Sequence, residues 1–276
     1  MNQLAALLML ASGAIHASVN AILKSGGDKM SSRALIDGFS ALLVLPFACV
    51  VPFPQDAAVW LAGSMLTHLF YLLCLVKAFE AADMSAVYPV MRGSAPVIAS
   101  AVAVILFGEP ISWAVAGSIA LVSLGTLAVA WWNAPGLKAI GWALATGAMT
   151  ALYTVIDAKG VRAAPSAESY FVWFFLALGP CIALVFAVWR GPVFLLTARS
   201  QWKPGLIAGA LSLVTYGLAL FAYRLGDVPR LAALRESSIL FGVGIAVFVL
   251  KEQVGKARLA GAALIAAGTG LLLALR

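Results

Sequence analysis

The sequence predicts an all-α integral membrane protein, with ten transmembrane helices in two inverted five-helix repeats around a central cavity. Three observations carry that expectation. The 276 residues are 63% hydrophobic and only 11% charged, with a mean hydropathy of +1.02; a soluble domain has about a quarter charged residues. The apolar residues gather into ten runs, and a helix of about 20 residues crosses a bilayer. The second half of the chain also repeats the first.

This composition excludes a soluble enzyme, a secreted disulfide scaffold and a disordered chain, and leaves almost nothing for a domain outside the membrane. The net charge of +7 comes from 18 Lys and Arg against 11 Asp and Glu. The cations are scattered at segment ends, where they meet headgroups and water. With no basic run, nucleic acid is not an expected partner. Cys49, Cys74 and Cys181 lie in apolar stretches without paired spacing and read as small buried hydrophobes rather than a disulfide or metal site.

Each run is bounded by charge, Pro or Gly. The first, 3–23, stops before Lys24 and lacks a basic leader, so it reads as a retained span rather than a signal peptide. The second, 33–52, opens at Arg33. The third, 57–78, follows Asp56, and the fourth, 85–107, runs from Asp83 to Gly108-Glu109-Pro110. The fifth is 111–131 and the sixth 137–157, ahead of Lys159. The seventh, 168–189, ends at Arg190, and the eighth, 203–223, at Arg224. The ninth, 228–250, and the tenth, 257–275, are parted by Lys251 and Lys256. Trp60, Trp113, Trp131, Trp132, Trp189 and Trp202 fall at span ends, as an aromatic belt requires. The longest connection is 190–202.

A shift of 143 residues lays the fourth and fifth spans on the ninth and tenth. Arg92 then meets Arg235, Ser94 meets Ser237, Glu109 meets Glu252, and Gly125-Thr126 meets Gly268-Thr269. A shift of 144 aligns Ala78-Phe79 and Asp83 with Ala222-Tyr223 and Asp227; one of 134 aligns Ala11 to Ala17 with Ala145 to Ala151. Matches at Arg, Glu and Gly-Thr are hard to obtain from apolar composition alone. The two units are residues 1–134 and 135–276. Five spans per unit is an odd number, so the second enters the membrane from the opposite side. Inverted repeats are the architecture of secondary transporters, with substrate bound near the midplane between the halves.

The duplicated turn carries a resemblance. Leu106-Phe107-Gly108-Glu109-Pro110 is followed by Gly117 and Gly125, and Leu250-Lys251-Glu252-Gln253 by Gly261 and Gly268, with Pro96 in the preceding helix. The chain resembles EamA-type members of the drug/metabolite transporter superfamily over nearly its whole length. Within that superfamily it is most similar to amino-acid exporters, including aromatic amino-acid exporters. Ile239 replaces the second copy of Pro96, and Asp37 stands where the family often places an Arg.

Several residues are candidates for the work. Arg92 and Arg235 each lie about 10 Å inside a span at about 1.5 Å per residue. A cation at that depth is paired or faces water. Two readings stay open: pairing, of Arg235 with Glu236 and Arg92 with Asp83, or bidentate capture of a substrate carboxylate. His16 and Asn20 share one face of the first helix, and Ser64, His68 and Tyr71 one stripe of the third. Each histidine suits cavity lining, a buried interhelical hydrogen bond or proton coupling; two without an acidic cluster give no metal site. Tyr71, Tyr88, Tyr153, Trp173 and Tyr216 offer ring faces and polar tips to a bulky neutral or zwitterionic substrate. Gly242, Gly244 and Gly261 read as close helix packing, with bending as the other use of the first two.

Asp157 is read at the end of the sixth span and Asp37 a turn inside the second. Neither reaches the midplane, which favours facilitated diffusion over tight proton coupling. Glu109 and Glu252 read as turn and helix-start carboxylates. The Lys and Arg count places both termini outside the cell, whereas the resemblance implies both in the cytoplasm. No hydrolase, metalloprotease or nucleotide-binding motif occurs, so neither an enzyme nor ATP drive is expected, and no cofactor. The expectation is a functional monomer in the inner (plasma) membrane that exports small metabolites, amino acids first. The alternatives are an exporter of drugs or nucleobase-like compounds and, from another class, a lipid-flipping or structural membrane protein.

Overall fold

In hydrocarbon every backbone N–H and C=O must be satisfied within the chain, which apolar runs achieve as helices. All regular elements among the described residues are helical. The computed structural model describes residues 2–25, 28–128, 136–249, 251 and 255–275. Glu252, Trp131, Trp132 and the junction at 134/135 lie outside them.

The first five crossings are α1 (Gln3–Ser25), α2 (Lys29–Val44, tightened to a 3-10 turn over Leu45–Cys49), α3 (Ala58–Ala81), α4 (Met84–Phe107) and α5 (Trp113–Ala128). The next five are α6 (Leu137–Ala163), α7 (Ala167–Arg190), α8 (Pro192–Leu225), a broken crossing made of α9 (Val228–Arg235) and α10 (Ser237–Gly244), and α11 (Lys256–Ala274). Among the described residues eight helices are long and apolar enough to span, and Trp113–Ala128 is a shorter apolar one. Local chemistry sets the ends. Asp28 accepts from the Ser31 N–H, Ser166 from Ser169 and Asp227 from Arg230, each an N-cap that satisfies an orphan donor. At the end of α4, Gly108 takes a left-handed conformation, φ +65°, which a Cβ would strain.

The boundaries depart from expectation in three places. Residues 190–202 do not form a connection but extend the eighth span, so α8 has 34 residues, about 51 Å at 1.5 Å per residue against a hydrocarbon core of about 30 Å. The ninth span is not one helix: it breaks at Glu236 and relaxes into a π turn over Ile245–Val249. The sixth runs on to Ala163, so Asp157 lies inside the helix with 1% of its surface exposed, not at its end. The cysteines also differ from expectation, Cys49 being exposed and the other two half-buried.

Helix packing recurs with the sequence offsets. α1 lies against α8 and the broken crossing; α6 lies against α3 and α4. Gly13 of α1 opens onto Ser237, and its counterpart Gly147 of α6 onto Ser94. At the crossing of α5 and α11, a Cβ on Gly125 would meet the Gly261 carbonyl, and one on Gly268 the backbone at Ser118. Small residues thus let these backbones approach. Gly242 and Gly244 differ: nothing lies within 4 Å of a Cβ at either, so they serve no packing contact. α2 packs along α8, while α3 meets α7 only briefly.

The face where α1 begins, the near face, gathers 50–57, 108–112, 164–166 and 226–227. Ser169 Oγ donates to the Pro52 carbonyl at 2.7 Å there. The far face holds Asp28 against Arg190, 2.7 Å apart.

Candidate functional site

Ser64 and His68 sit four apart on α3, which brings His68 Nδ1 to 2.9 Å from the Ser64 carbonyl and 3.2 Å from its hydroxyl. Held so, the imidazole stacks on Tyr153 of α6 with centroids 4.0 Å apart. Tyr71 stands edge-on to Tyr153 at 5.7 Å, and Phe174 of α7 edge-on to His68 at 5.4 Å. Phe174 in turn stacks on Tyr216 of α8 at 4.8 Å. An aromatic wall thus runs across α3, α6, α7 and α8. Phe174 was not among the sequence candidates, although the aromatic run from Tyr170 to Phe175 pointed to it.

Charged groups line the rest of the interior. Arg92 Nε donates to Glu236 Oε2 at 3.1 Å and its Nη2 to Ser238 Oγ at 3.0 Å. The partner of Arg92 is therefore Glu236 on the opposite half, not Asp83, and Arg235 does not hold Glu236. Arg235 pairs with no carboxylate among the described residues, and its Nε is buried without a hydrogen-bond partner. Its guanidinium lies over the Tyr216 ring, 5.4 Å from the centroid. Arg33 grips Asp37 through Nε–Oδ2 at 2.6 Å and Nη2–Oδ1 at 3.0 Å. Asp157 accepts from Tyr170 at 2.8 Å and from Tyr216 at 2.5 Å. Gly160, one turn on, leaves room for the Tyr170 ring.

Of the ten sequence candidates, nine are brought to one interior. His16 faces Arg33, Arg92 and Arg235 closely enough to feel all three charges, and Tyr88 acts likewise on Arg92. Asn20 follows His16 one turn along the same face. Trp173 is the exception: its Nε1 donates to the Val51 carbonyl at 3.3 Å and its ring meets Phe53 edge-on at 5.1 Å. It pins the near-face connection after α2. Except for His68, the polar candidates keep partial exposure at mid-helix. Polar groups at that depth are not turned to lipid, so they face the interior of the bundle.

A polar latch ties the helices together at the near face. Arg162 donates to Glu109 at 2.6 Å, to the Tyr223 carbonyl at 2.8 Å and to the Gly226 carbonyl at 2.6 Å. Glu109 Oε2 accepts from Val228 N at 2.8 Å. It is a helix-start carboxylate, as its sequence position suggested, but it serves α9 rather than the helix that follows it. Below this latch Tyr170 is 0% and Tyr223 2% exposed, whereas the Arg33 side chain toward the far face is 41% exposed. Arg33, Glu236, Asp157 and Tyr223 were not picked as binding residues from sequence; the position of each depends on which helix it meets.

Comparison with known proteins agrees with this architecture. The profile of the EamA-like transporter family matches residues 137–274, half of the chain. One similar solved structure, titled only as the crystal structure of a protein, is 17% identical with a TM-score of 0.78 and covers 99% of both chains; at that identity it speaks for the fold. A search of curated protein sequences gives no match. With eight helices among the described residues long and apolar enough to cross a membrane and a family profile over half its length, the chain belongs to the EamA-like transporter family and is a multi-pass membrane transporter of the drug/metabolite type.

Proposed function

We propose that this transporter exports small metabolites, neutral and aromatic amino acids first, across the inner (plasma) membrane. Residues 1–134 and 135–276 act as the two halves between which the cavity opens to either side in turn. One chain holds both halves, so the working unit is a monomer, and the cargo leaves chemically unchanged.

The observation that carries this reading is Arg235, a cation within the bundle with no carboxylate paired to it among the described residues, seated on the Tyr216 ring. A buried charge is costly unless an opposite charge meets it, and a planar guanidinium meets a carboxylate through two parallel hydrogen bonds. The tyrosine wall beside it suits an aromatic or aliphatic side chain. An exporter of drugs or nucleobase-like compounds would have no use for a free arginine at this point.

The test is counterflow in proteoliposomes loaded with unlabelled phenylalanine, with labelled phenylalanine or adenine added outside and no ion gradient. Labelled phenylalanine should accumulate, Arg235→Ala should abolish accumulation, and Arg235→Lys should retain about a tenth or less, because the bidentate grip is lost. Accumulation of adenine alone would overturn the amino-acid reading.

A further inference from the structure

The ninth crossing is interrupted at a particular place. α9 ends at Arg235, Glu236 turns the chain with its N–H on the Ala233 carbonyl at 3.1 Å, and α10 starts at Ser237 and runs eight residues. A helix start leaves its first N–H groups without partners in the helix and concentrates positive potential there. By itself that would mean little. Three further donors cluster at the same break, however, and all three are buried without a hydrogen-bond partner: Arg235 Nε, the Tyr223 hydroxyl and the Ser237 hydroxyl. Tyr223 and Ser237 are each only 2% exposed. The Tyr223 hydroxyl stands beside the Arg235 guanidinium and interacts with it directly. Proteins seldom leave buried polar groups unsatisfied, because each costs about 1–3 kcal/mol. Three in one place, all able to donate, lack an acceptor.

The neighbours fit the same need. Gly13 of α1 packs directly on the break, and a Cβ there would come within 3.0 Å of Ser237 Oγ and 3.2 Å of the Ser238 nitrogen; only a residue without a side chain leaves these donors uncrowded. The one acidic group at the break, Glu236, has its charge met by Arg92. Arg235 makes no ion pair with a carboxylate among the described residues.

We propose that this break is a carboxylate-binding subsite, in which Arg235, the hydroxyls of Tyr223 and Ser237 and the start of α10 together receive the carboxylate of the transported molecule. The proposal rests on the reading of Arg235 given above and adds two specificity-determining hydroxyls and a backbone element to it. The site takes a planar monoanion. It gives no grip to the same molecule with the carboxylate removed, because the donors would stay unsatisfied. Tyr223 and Ser237 lie on the near-face side of the cavity, so the carboxylate leads and the apolar part of the substrate trails along the tyrosine wall.

The test is binding to the purified full-length protein by ligand-induced thermal stabilisation, with 3-phenylpropionate and 2-phenylethylamine as the paired probes. Wild type should be stabilised by the carboxylate and not by the amine. Tyr223→Phe and Ser237→Ala remove hydroxyls that bond to nothing in the fold, so both should fold normally. Each should weaken 3-phenylpropionate binding about fivefold or more. Thr269→Val, which removes a buried unpartnered hydroxyl on α11, should leave binding unchanged. Failure of wild type to bind the carboxylate, or unchanged binding in both variants, overturns the subsite. Should wild type bind 3-phenylpropionate but carry no amino acid in counterflow, the subsite stands and the amino-acid reading falls. Should it carry phenylalanine with both variants indistinguishable from wild type, the reading stands and the subsite falls.

Discussion

α4 and the broken α9–α10 crossing occupy corresponding places in the two halves, yet the helix that ought to break is the one that stays whole. α4 contains Pro89 and Pro96 and runs unbroken for 24 residues, although each proline removes a backbone bond. The other crossing has Ile239 where α4 has Pro96, and it breaks at Glu236. In the 143-residue register Glu236 replaces Gly93. Its carboxylate reaches across to Arg92 of the other half, and the Ser237-Ser238 pair follows, a sequence that tolerates a kink. Tertiary pairing, rather than local propensity, decides where the span is interrupted. The comparison also separates the two arginines: Arg92 bonds to Glu236 at the break, and Arg235 lies over the Tyr216 ring.

The largest expected effect tests that division. Glu236 is 4% and Arg92 15% exposed at the side chain, so Arg92→Ala strands a buried carboxylate and should destabilise the protein by about 3–5 kcal/mol, visible as a large fall in melting temperature. Arg92→Ala combined with Glu236→Gln should recover most of that loss, since no charge is then left unpaired. Arg235→Ala should abolish counterflow while lowering stability little. Equal stability losses in the two arginine variants would erase the distinction drawn between them.

The sequence carried the crossings well because a bilayer imposes one length and one polarity on every span. The arginine pair was legible for the same reason: a cation in the middle of an apolar run has few roles. What could not be read were partners across the bundle. Asp83 and Glu236 were equally plausible mates for the arginines by proximity in the chain, and only the crossing of α4 with α9 chooses. Glu109 likewise announced a helix start without saying whose. Residues 190–202 read as a connection because Pro192, Arg199 and Lys203 interrupt the apolar run, but Pro at a first helical position is compatible with a helix.

A smaller effect sharpens the comparison between the glycines that seat these crossings. Gly147 of α6 packs on α4, where a Cβ would overlap Ser94 Oγ and come within 2.9 Å of the Met91 carbonyl, a backbone atom that cannot give way. Gly13 of α1 packs on the broken crossing, where the nearest atoms lie at 3.0 and 3.2 Å. Gly147→Ala should therefore cost about 1–3 kcal/mol through overpacking, and Gly13→Ala clearly less, as read from melting temperatures of the two variants. The ranking follows from rigidity: an unbroken helix cannot move aside, while a crossing already divided at Glu236 can. A larger loss from Gly13→Ala would mean that the break is as stiff as α4.

The smallest effect lies at the far face and is read through pH. Asp28 caps α2 and meets Arg190. Its partial burial works to raise the carboxyl's affinity for protons, but the Ser31 hydrogen bonds and Arg190 outweigh this and hold it below the ordinary value of 3.8. A carboxylate depressed in the folded state adds stability that is fully present above the unfolded value and is lost as the pH falls through the folded one. Wild type should thus lose its advantage over Asp28→Asn only below about pH 4, and the two should converge in melting temperature as acid is added. The pair is partly exposed, so the gap at neutral pH should be small and shrink in salt. The near-face latch makes the contrast: Glu109 serves Arg162 and the Val228 N–H at once, so Glu109→Gln should lower the melting temperature more than Asp28→Asn does, and hold that difference at high salt. If instead salt removes both differences alike, the two faces are tied by the same kind of surface pair, and the near face is held by packing alone.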